Sequence, residues 1–275
     1  MSPATPLERL RARITRLGPP LCLGIDPHPD LLPEGLPRSI DGVETFARGV
    51  LEAVGEQAVA VKVNIAFFEA FGSEGLAALE RLRGDVADDL FFILDAKRGD
   101  IGSTAERYAE AIFGHFAADA TTVSPYLGED AIEPFLAFAG RVVYVLARTS
   151  NPSAERLQEL MIDGRPLAEH VARWVAERWT DGRAGLVAGA TVPDELHRLR
   201  DAVPAPGFLV LGVGAQGGDL EAAVASCHGT LAPGLVSVSR AIAGASRDSD
   251  WRQAAAASAW QLRDRMRQAG ATLGH

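Results

Sequence analysis

Eight short apolar runs punctuate the chain, at 21–27, 58–64, 90–97, 121–126, 141–149, 184–191, 208–214 and 234–240. Each is rich in Val, Leu and Ile and nearly continuous, the pattern of strands buried on both faces. Amphipathic segments separate them. Residues 41–57 carry Val43, Phe46, Ala47, Val50, Leu51 and Val54 at helical spacing, and 102–118 and 193–203 read the same way. Strands alternating with helices imply right-handed crossovers and a parallel sheet. Eight such units predict an α/β fold of the closed (β/α)8 TIM-barrel type, with a doubly wound open sheet as the rival. Segments 11–17 and 251–269 read as flanking helices. The widest gap, from Thr149 to Ala184, reads as a long loop plus a helix. No fixed repeat, linker or composition break divides the chain, so the expectation is one barrel domain over residues 1–275.

The 275 residues are 47% hydrophobic, enough for a large core without metal or disulfide support. The net charge of −9 argues against nucleic acid and anionic membrane as partners. It leaves room for a local basic site that takes a small anion. Cys22 and Cys227 form no ligand cluster and read as two reduced thiols. No secretory signal is visible, and no apolar stretch approaches the ~20 residues of a membrane span. A cytoplasmic location is the expectation.

Polar residues gather at the C-terminal ends of the runs, the end that carries the site in a parallel barrel. Asp26 ends the first run, and Lys62 and Asn64 the second. Asp95 and Lys97 end the third, with Asp100 just beyond. Thr149 and Ser150 follow the fifth, Gln216 the seventh, and Arg240 ends the eighth. Ionisable groups at the rim of a buried barrel are costly unless paired. Asp95 and Lys97 are two apart and point to one side of a strand. A lysine among carboxylates stays protonated, which suits a proton donor better than a Schiff-base nucleophile.

The turn Gly212-Val213-Gly214-Ala215-Gln216-Gly217-Gly218-Asp219 is the second cluster. Glycines between a strand and a helix let backbone N–H groups approach phosphate at the helix N-terminus. The stretch lacks a Gly-Lys-Ser/Thr ending and the order of a dinucleotide fingerprint. Arg240 at the end of the next run strengthens a phosphate reading, because Arg grips phosphate bidentately. Elsewhere the signals are plain. His28 reads as a loop histidine, and His115, His170, His197 and His228 as surface residues on helices. Trp174 and Trp179 read as core or interface, and Arg98 as solvated or at an interface. No His, Asp or Glu set has metal-ligand spacing, although strand-end carboxylates could hold magnesium.

At these residues the chain resembles the orotidine 5′-phosphate decarboxylase family, in its longer bacterial subgroup. The carrying segments are Leu23-Gly24-Ile25-Asp26-Pro27, Val61-Lys62-Val63-Asn64-Ile65-Ala66-Phe67-Phe68-Glu69, residues 95–104, Val123-Ser124-Pro125-Tyr126, Arg148-Thr149-Ser150-Asn151-Pro152, residues 212–219 and Ser239-Arg240. They follow the family order across most of the chain. The Asp-x-Lys-x-x-Asp core is shared with relatives acting on other phosphosugars. Ile101-Gly102-Ser103-Thr104 and the Gly-Ala-Gln-Gly-Gly stretch make the match specific. Val63 and Leu211 depart from it, standing where proline is usual or common.

The resemblance implies decarboxylation of orotidine 5′-monophosphate to uridine 5′-monophosphate, without cofactor or metal. Lys97 would protonate the ring carbon that loses carbon dioxide, and Asp95 would face the substrate carboxylate. Lys62, Asp95, Lys97 and Asp100 would form an alternating charge network. Asp100, Ile101 and Thr104 would enter the site of the other subunit of a homodimer. Asp26 and Lys62 would hold the ribose hydroxyls, with Asn64 among the substrate-binding residues. Ser150 would bond the pyrimidine amide, and Gln216 and Arg240 the phosphate. Two alternatives are a magnesium-dependent phosphosugar decarboxylase or aldolase with the same core, and a phosphate-ligand sensor without catalysis.

Overall fold

The computed structural model describes residues 4–272. All eight apolar runs become strands of one closed parallel barrel. They are β1 (Leu21–Ile25), β2 (Ala60–Asn64), β3 (Phe91–Arg98), β4 (Ala120–Val123), β5 (Val142–Arg148), β8 (Ala184–Gly189), β9 (Phe208–Leu211) and β10 (Leu235–Val238). The order around the barrel is β1-β10-β9-β8-β5-β4-β3-β2. The widest gap holds a two-stranded antiparallel hairpin as well as a helix. The hairpin pairs β6 (Met161–Ile162) with β7 (Arg165–Pro166). Closure removes the sheet edges that an open doubly wound sheet would keep.

Strand residues alternate between two apolar layers, as the period of two requires. Leu21, Leu23, Val61, Val63, Phe92, Leu94, Val143 and Val145 face the helices. Cys22, Ala60, Phe91, Ile93, Ala120, Val142, Tyr144, Val187, Leu209 and Leu235 fill the barrel interior. The N-terminal helix α1 (Pro6–Leu17) adds Leu7 and Leu10 to that inner layer. It starts earlier than 11–17 because Thr5 and Glu8 form a reciprocal capping box ahead of Pro6. Burying a side chain such as Leu10 contributes about 1.5–3 kcal/mol.

The outer helices include α2 (Ile40–Val54), α4 (Gly72–Asp85), α5 (Gly102–Ala109), α8 (Leu167–Arg178), α9 (Pro193–Ala202) and the C-terminal α12 (Trp251–Thr272). Short pieces α3 (Ala66–Glu69), α6 (Glu133–Leu136), α7 (Glu155–Gln158), α10 (Leu220–Ala225) and α11 (Arg240–Ala243) complete the set. The helix expected over 102–118 is not uniform. After α5 it widens into a π-helical turn over Glu110–His115 and ends at Ala117 with φ 48°. The wider turn buries the consecutive residues Ile112 and Phe113, with Phe113 against the rings of Phe135 and Phe138.

Both departures from the family pattern sit in regular ladder. Val63 pairs with Ile25 and Leu94, and Leu211 with Gly189. Cys22 and Cys227 are free and buried, and burial raises each thiol pKa to about 12. Among the described residues no helix is long and apolar enough to cross a membrane.

Candidate active site

The inward-facing side chains turn from apolar to charged as β2 and β3 rise. On β2 the series is Ala60, Lys62, Asn64; on β3 it is Phe91, Ile93, Asp95, Lys97. The register sets Asn64 beside Asp95 and Gly24 of β1 beside Lys62. Lys62 and Asp95 are 4% and 2% exposed. Asp95 takes Lys62 Nζ at 2.8 Å on one oxygen. On the other it takes Lys97 Nζ at 2.6 Å and the Thr122 hydroxyl at 2.7 Å. Lys62 Nζ also lies 3.5 Å from Asp26 Oδ1.

Lys97 has φ 44°, in the left-handed region, where the β3–β4 ladder is irregular between Leu94 and Arg98. Its N–H donates to Thr122 Oγ1 at 3.0 Å, which holds that backbone in place. A non-glycine residue there stores on the order of 1–3 kcal/mol of strain, a feature that clusters at functional positions. Thr122 is a site residue that the sequence reading missed. The alternation Ala120-Thr121-Thr122-Val123 puts it on the inner side, level with Asp95.

Burial pushes the Asp95 carboxyl up, but the Lys62 and Lys97 charges outweigh it and hold it far below the usual range. Burial pulls Lys62 down, but Asp26 and Asp95 outweigh that and keep it above the ordinary lysine value. Lys62 is therefore an ammonium at neutral pH, unsuited to Schiff-base chemistry. Lys62 and Lys97 are the only lysines of the chain; the other 25 of its 27 basic residues are arginines. Asp26 Oδ1 is buried and has no hydrogen-bond donor among the described residues. Its charge is met there by the Lys62 ammonium.

These groups form one wall of a cleft of about 450 Å³ at the C-terminal end of the barrel. Ser150, Gln216 and Arg240 line the opposite side. Gly212, Gly214 and Gly217 take φ values of 94°, 85° and 76°, which a side chain would strain. A Cβ on Gly212 would stand 3.0 Å from Gln216 Oε1 and 3.2 Å from Ser150 Cβ, so both residues close on this glycine. The helix N-terminus expected beneath the turn is taken: Asp219 accepts from the Ala222 N–H and caps α10. A carboxylate there satisfies the free N–H and repels an anion. The groups left facing the cleft here are the turn itself and Arg240, whose side chain has no hydrogen-bond or ion-pair partner among the described residues. A larger depression of about 710 Å³ lies between α2, α4 and α12. Arg48 pairs there with Asp85 and Glu44, and none of the strand-end residues reaches it.

A family model described as orotidine 5′-phosphate decarboxylase / HUMPS matches residues 19–257. The chain belongs to this family. The orotidine 5′-phosphate decarboxylase of Roseiflexus castenholzii is 48% identical over 248 residues, 89% of this chain and 90% of that protein. That of Bordetella avium is 47% identical over 254 residues, covering 89% and 92%. The structure of Leishmania donovani OMP decarboxylase is 36% identical and superposes with a TM-score of 0.82, over 96% of this chain and 99% of that one.

Within this decarboxylase-family chain, eight of the eleven expected site residues line one cleft: Asp26, Lys62, Asn64, Asp95, Lys97, Ser150, Gln216 and Arg240. Asn64 Oδ1 also accepts from the Ala66 N–H at 3.1 Å. Asp100, Ile101 and Thr104 do not join it. Asp100 accepts from the Ile101 N–H at 2.8 Å and pairs with neither lysine within the chain. Ile101 is 51% exposed. Thr149, expected at this rim, also lines the cleft, as do Asn151 and Ser239 of the motifs carrying the resemblance, to which no role was given; Gln158 and Ser237 were missed. Ser237 shares the inner parity of Leu235, which could have marked it.

His28 caps a short turn through the Asp30 N–H and does not line the cleft. His228 lies in a loop after α10 and not on a helix. Arg98 is half-buried, paired with Glu69 and stacked over Tyr108 at 5.1 Å, and not simply solvated. Among the described residues no three His, Cys, Asp or Glu side chains converge.

Proposed function

We propose that this chain decarboxylates orotidine 5′-monophosphate to uridine 5′-monophosphate in pyrimidine biosynthesis. The observation that carries the reading is Asp95 clasped between two ammonium groups at 2.8 and 2.6 Å, opposite a glycine turn and an unpaired arginine. The bond from the ring carbon to the carboxylate breaks and leaves its electron pair on the ring. Lys97, with a side chain 45% exposed to the cleft, stabilises that charge and delivers a proton to the carbon. Asp95 faces the departing carboxylate, so their repulsion is relieved as carbon dioxide leaves. Asp26 and Lys62 hold the ribose hydroxyls, with Asn64 beside them. Ser150 bonds the pyrimidine amide. Gln216 and Arg240 hold the phosphate.

Asp100, Ile101 and Thr104 act in the site of a second copy, making the enzyme a homodimer. The exposure of Ile101, Tyr126 and Leu127, on loops after the neighbouring strands β3 and β4, supports this. The test is absorbance of purified protein with orotidine 5′-monophosphate in excess chelator. A steady loss of orotate absorbance with formation of uridine 5′-monophosphate is expected. Turnover only after magnesium is restored, or none with folded dimer, refutes the proposal.

A further inference from the structure

Behind the rim of β5 lies a charged cluster with no part in the scheme above. Arg148 ends β5 and is 7% exposed. The β5–β8 ladder is irregular between Leu146 and Arg148. The Arg148 side chain runs toward α9 and does not line the cleft. Its Nε donates to Glu195 Oε2, in the first turn of α9, at 2.5 Å. Glu159 Oε1 stands 3.4 Å from the same nitrogen, and Glu159 Oε2 meets Arg198 at 2.8 Å. Two guanidinium and two carboxylate groups thus balance.

The Nη1 of Arg148 donates to the Thr149 carbonyl at 2.6 Å. The Thr149 N–H donates to Gln158 Oε1 at 2.8 Å, and its hydroxyl accepts from Gln158 Nε2 at 3.0 Å. Both backbone polar groups of the residue before Ser150 are therefore fixed. On the far side a Cβ on Gly189 would stand 3.1 Å from Ser150 N and Cα. The Ser150 backbone has a fixed tether in front and a close wall behind. Buried ion pairs seldom add more stability than apolar packing of the same volume, so their worth lies in defined geometry. Glu159 Oε1 remains buried without a hydrogen bond, because the one Nε proton of Arg148 goes to Glu195.

We infer that Arg148, Glu159, Glu195 and Arg198 form a positioning device for Ser150, which sets the hydroxyl that reads the pyrimidine and leaves the phosphate side alone. This rests on the proposed role of Ser150. Lysine at 148 keeps the charge but not the planar fork that bonds Thr149 O and Glu195 together.

The experiment is calorimetric binding of uridine 5′-monophosphate and ribose 5-phosphate, with melting temperatures, for wild type, Arg148→Lys and Glu195→Gln. Expected is a loss of about tenfold or more in nucleotide affinity, as when a polar contact is displaced, with ribose 5-phosphate affinity within about twofold of wild type. Arg148→Lys should melt close to wild type, and its kcat/KM for orotidine 5′-monophosphate should fall in step with nucleotide affinity. Glu195→Gln conserves shape and tests the same selectivity if the lysine variant folds poorly. Parallel weakening of both ligands, or unchanged nucleotide affinity in both variants, overturns the inference. A wild type that binds both ligands equally shows that Ser150 reads no pyrimidine. That failure belongs to the underlying reading and is told apart by the wild type alone.

Discussion

Replacing Asp95 by asparagine keeps the shape of the site and removes the one charge between two ammonium groups. Asp95 is 2% exposed and accepts from Lys62, Lys97 and Thr122 at 2.8, 2.6 and 2.7 Å. After the change Lys62 retains only Asp26, at 3.5 Å. Breaking a buried pair by removing one partner costs about 3–5 kcal/mol, and the remaining carboxylate argues for the lower end. At 2–4 °C per kcal/mol for a chain of this size, the melting temperature should fall by roughly 6–12 °C at pH 7.

The sign of the pH dependence follows from the shifts. The Asp95 pKa is depressed, so its contribution is present above the unfolded value of about 3.9 and is lost as pH falls through the folded one. The Lys62 pKa is raised, so its contribution is full below about 10.4 and is lost only as pH rises through the higher folded value. The gap between wild type and Asp95→Asn should therefore be widest at neutral pH. It should narrow below pH ~4, and again in strong alkali, where Lys62 can lose its proton. Thermal denaturation from pH 3 to 8 reads the acid arm directly, and turnover at pH 7 should fall by about 10³-fold or more. An equally stable variant, or a gap that stays constant with pH, would refute the electrostatic account of the site.

Lys97→Ala should lower turnover by at least about 10³-fold while uridine 5′-monophosphate binding persists, as read by single-turnover kinetics and calorimetry. Arg240→Ala should raise KM by roughly 10–100-fold through lost charge-assisted hydrogen bonds, and the deficit should shrink at high salt. Neither Asp100→Ala nor Lys97→Ala alone should be active, yet unfolding and refolding them together should return about a quarter of wild-type activity. Half the dimers would then be mixed, with one intact site each; no recovery would place Asp100 in its own chain's site. Gly189→Ala should push the Ser150 backbone, which stands 3.1 Å from the new methyl, and lower nucleotide affinity more than ribose 5-phosphate affinity.

The barrel was legible because each strand is buried on both faces, so its apolar run needs no tertiary information. The site was legible where a charge interrupts such a run, as at Lys62 and Asp95. Thr122 and Ser237 escaped because a hydroxyl in an apolar strand is unremarkable until the strand's inward parity is known. The cap on α10 escaped for another reason. Asp219 ends the glycine turn, and only the folded turn shows its carboxylate bonding the Ala222 N–H, where an anion was expected. The hairpin β6–β7 hid in the widest gap because two-residue strands carry too short a pattern to read. Arg148 lies in a motif carrying the resemblance, yet its partners Glu159 and Glu195 are brought to it by chain folding and not by sequence spacing.

The scarcity of lysine has a practical consequence. A protease that cuts only after lysine has two targets here, the bonds Lys62–Val63 and Lys97–Arg98. The first lies in β2, hydrogen-bonded between β1 and β3, with Val63 wholly buried. No such enzyme can grip that bond while the barrel is closed. Its digestion rate therefore counts openings of the sheet, as hydrogen exchange would. Lys62, proposed to hold the substrate, also serves as a built-in gauge of how often the barrel comes apart, and a bound nucleotide should slow the cut after it in proportion to the stability it adds.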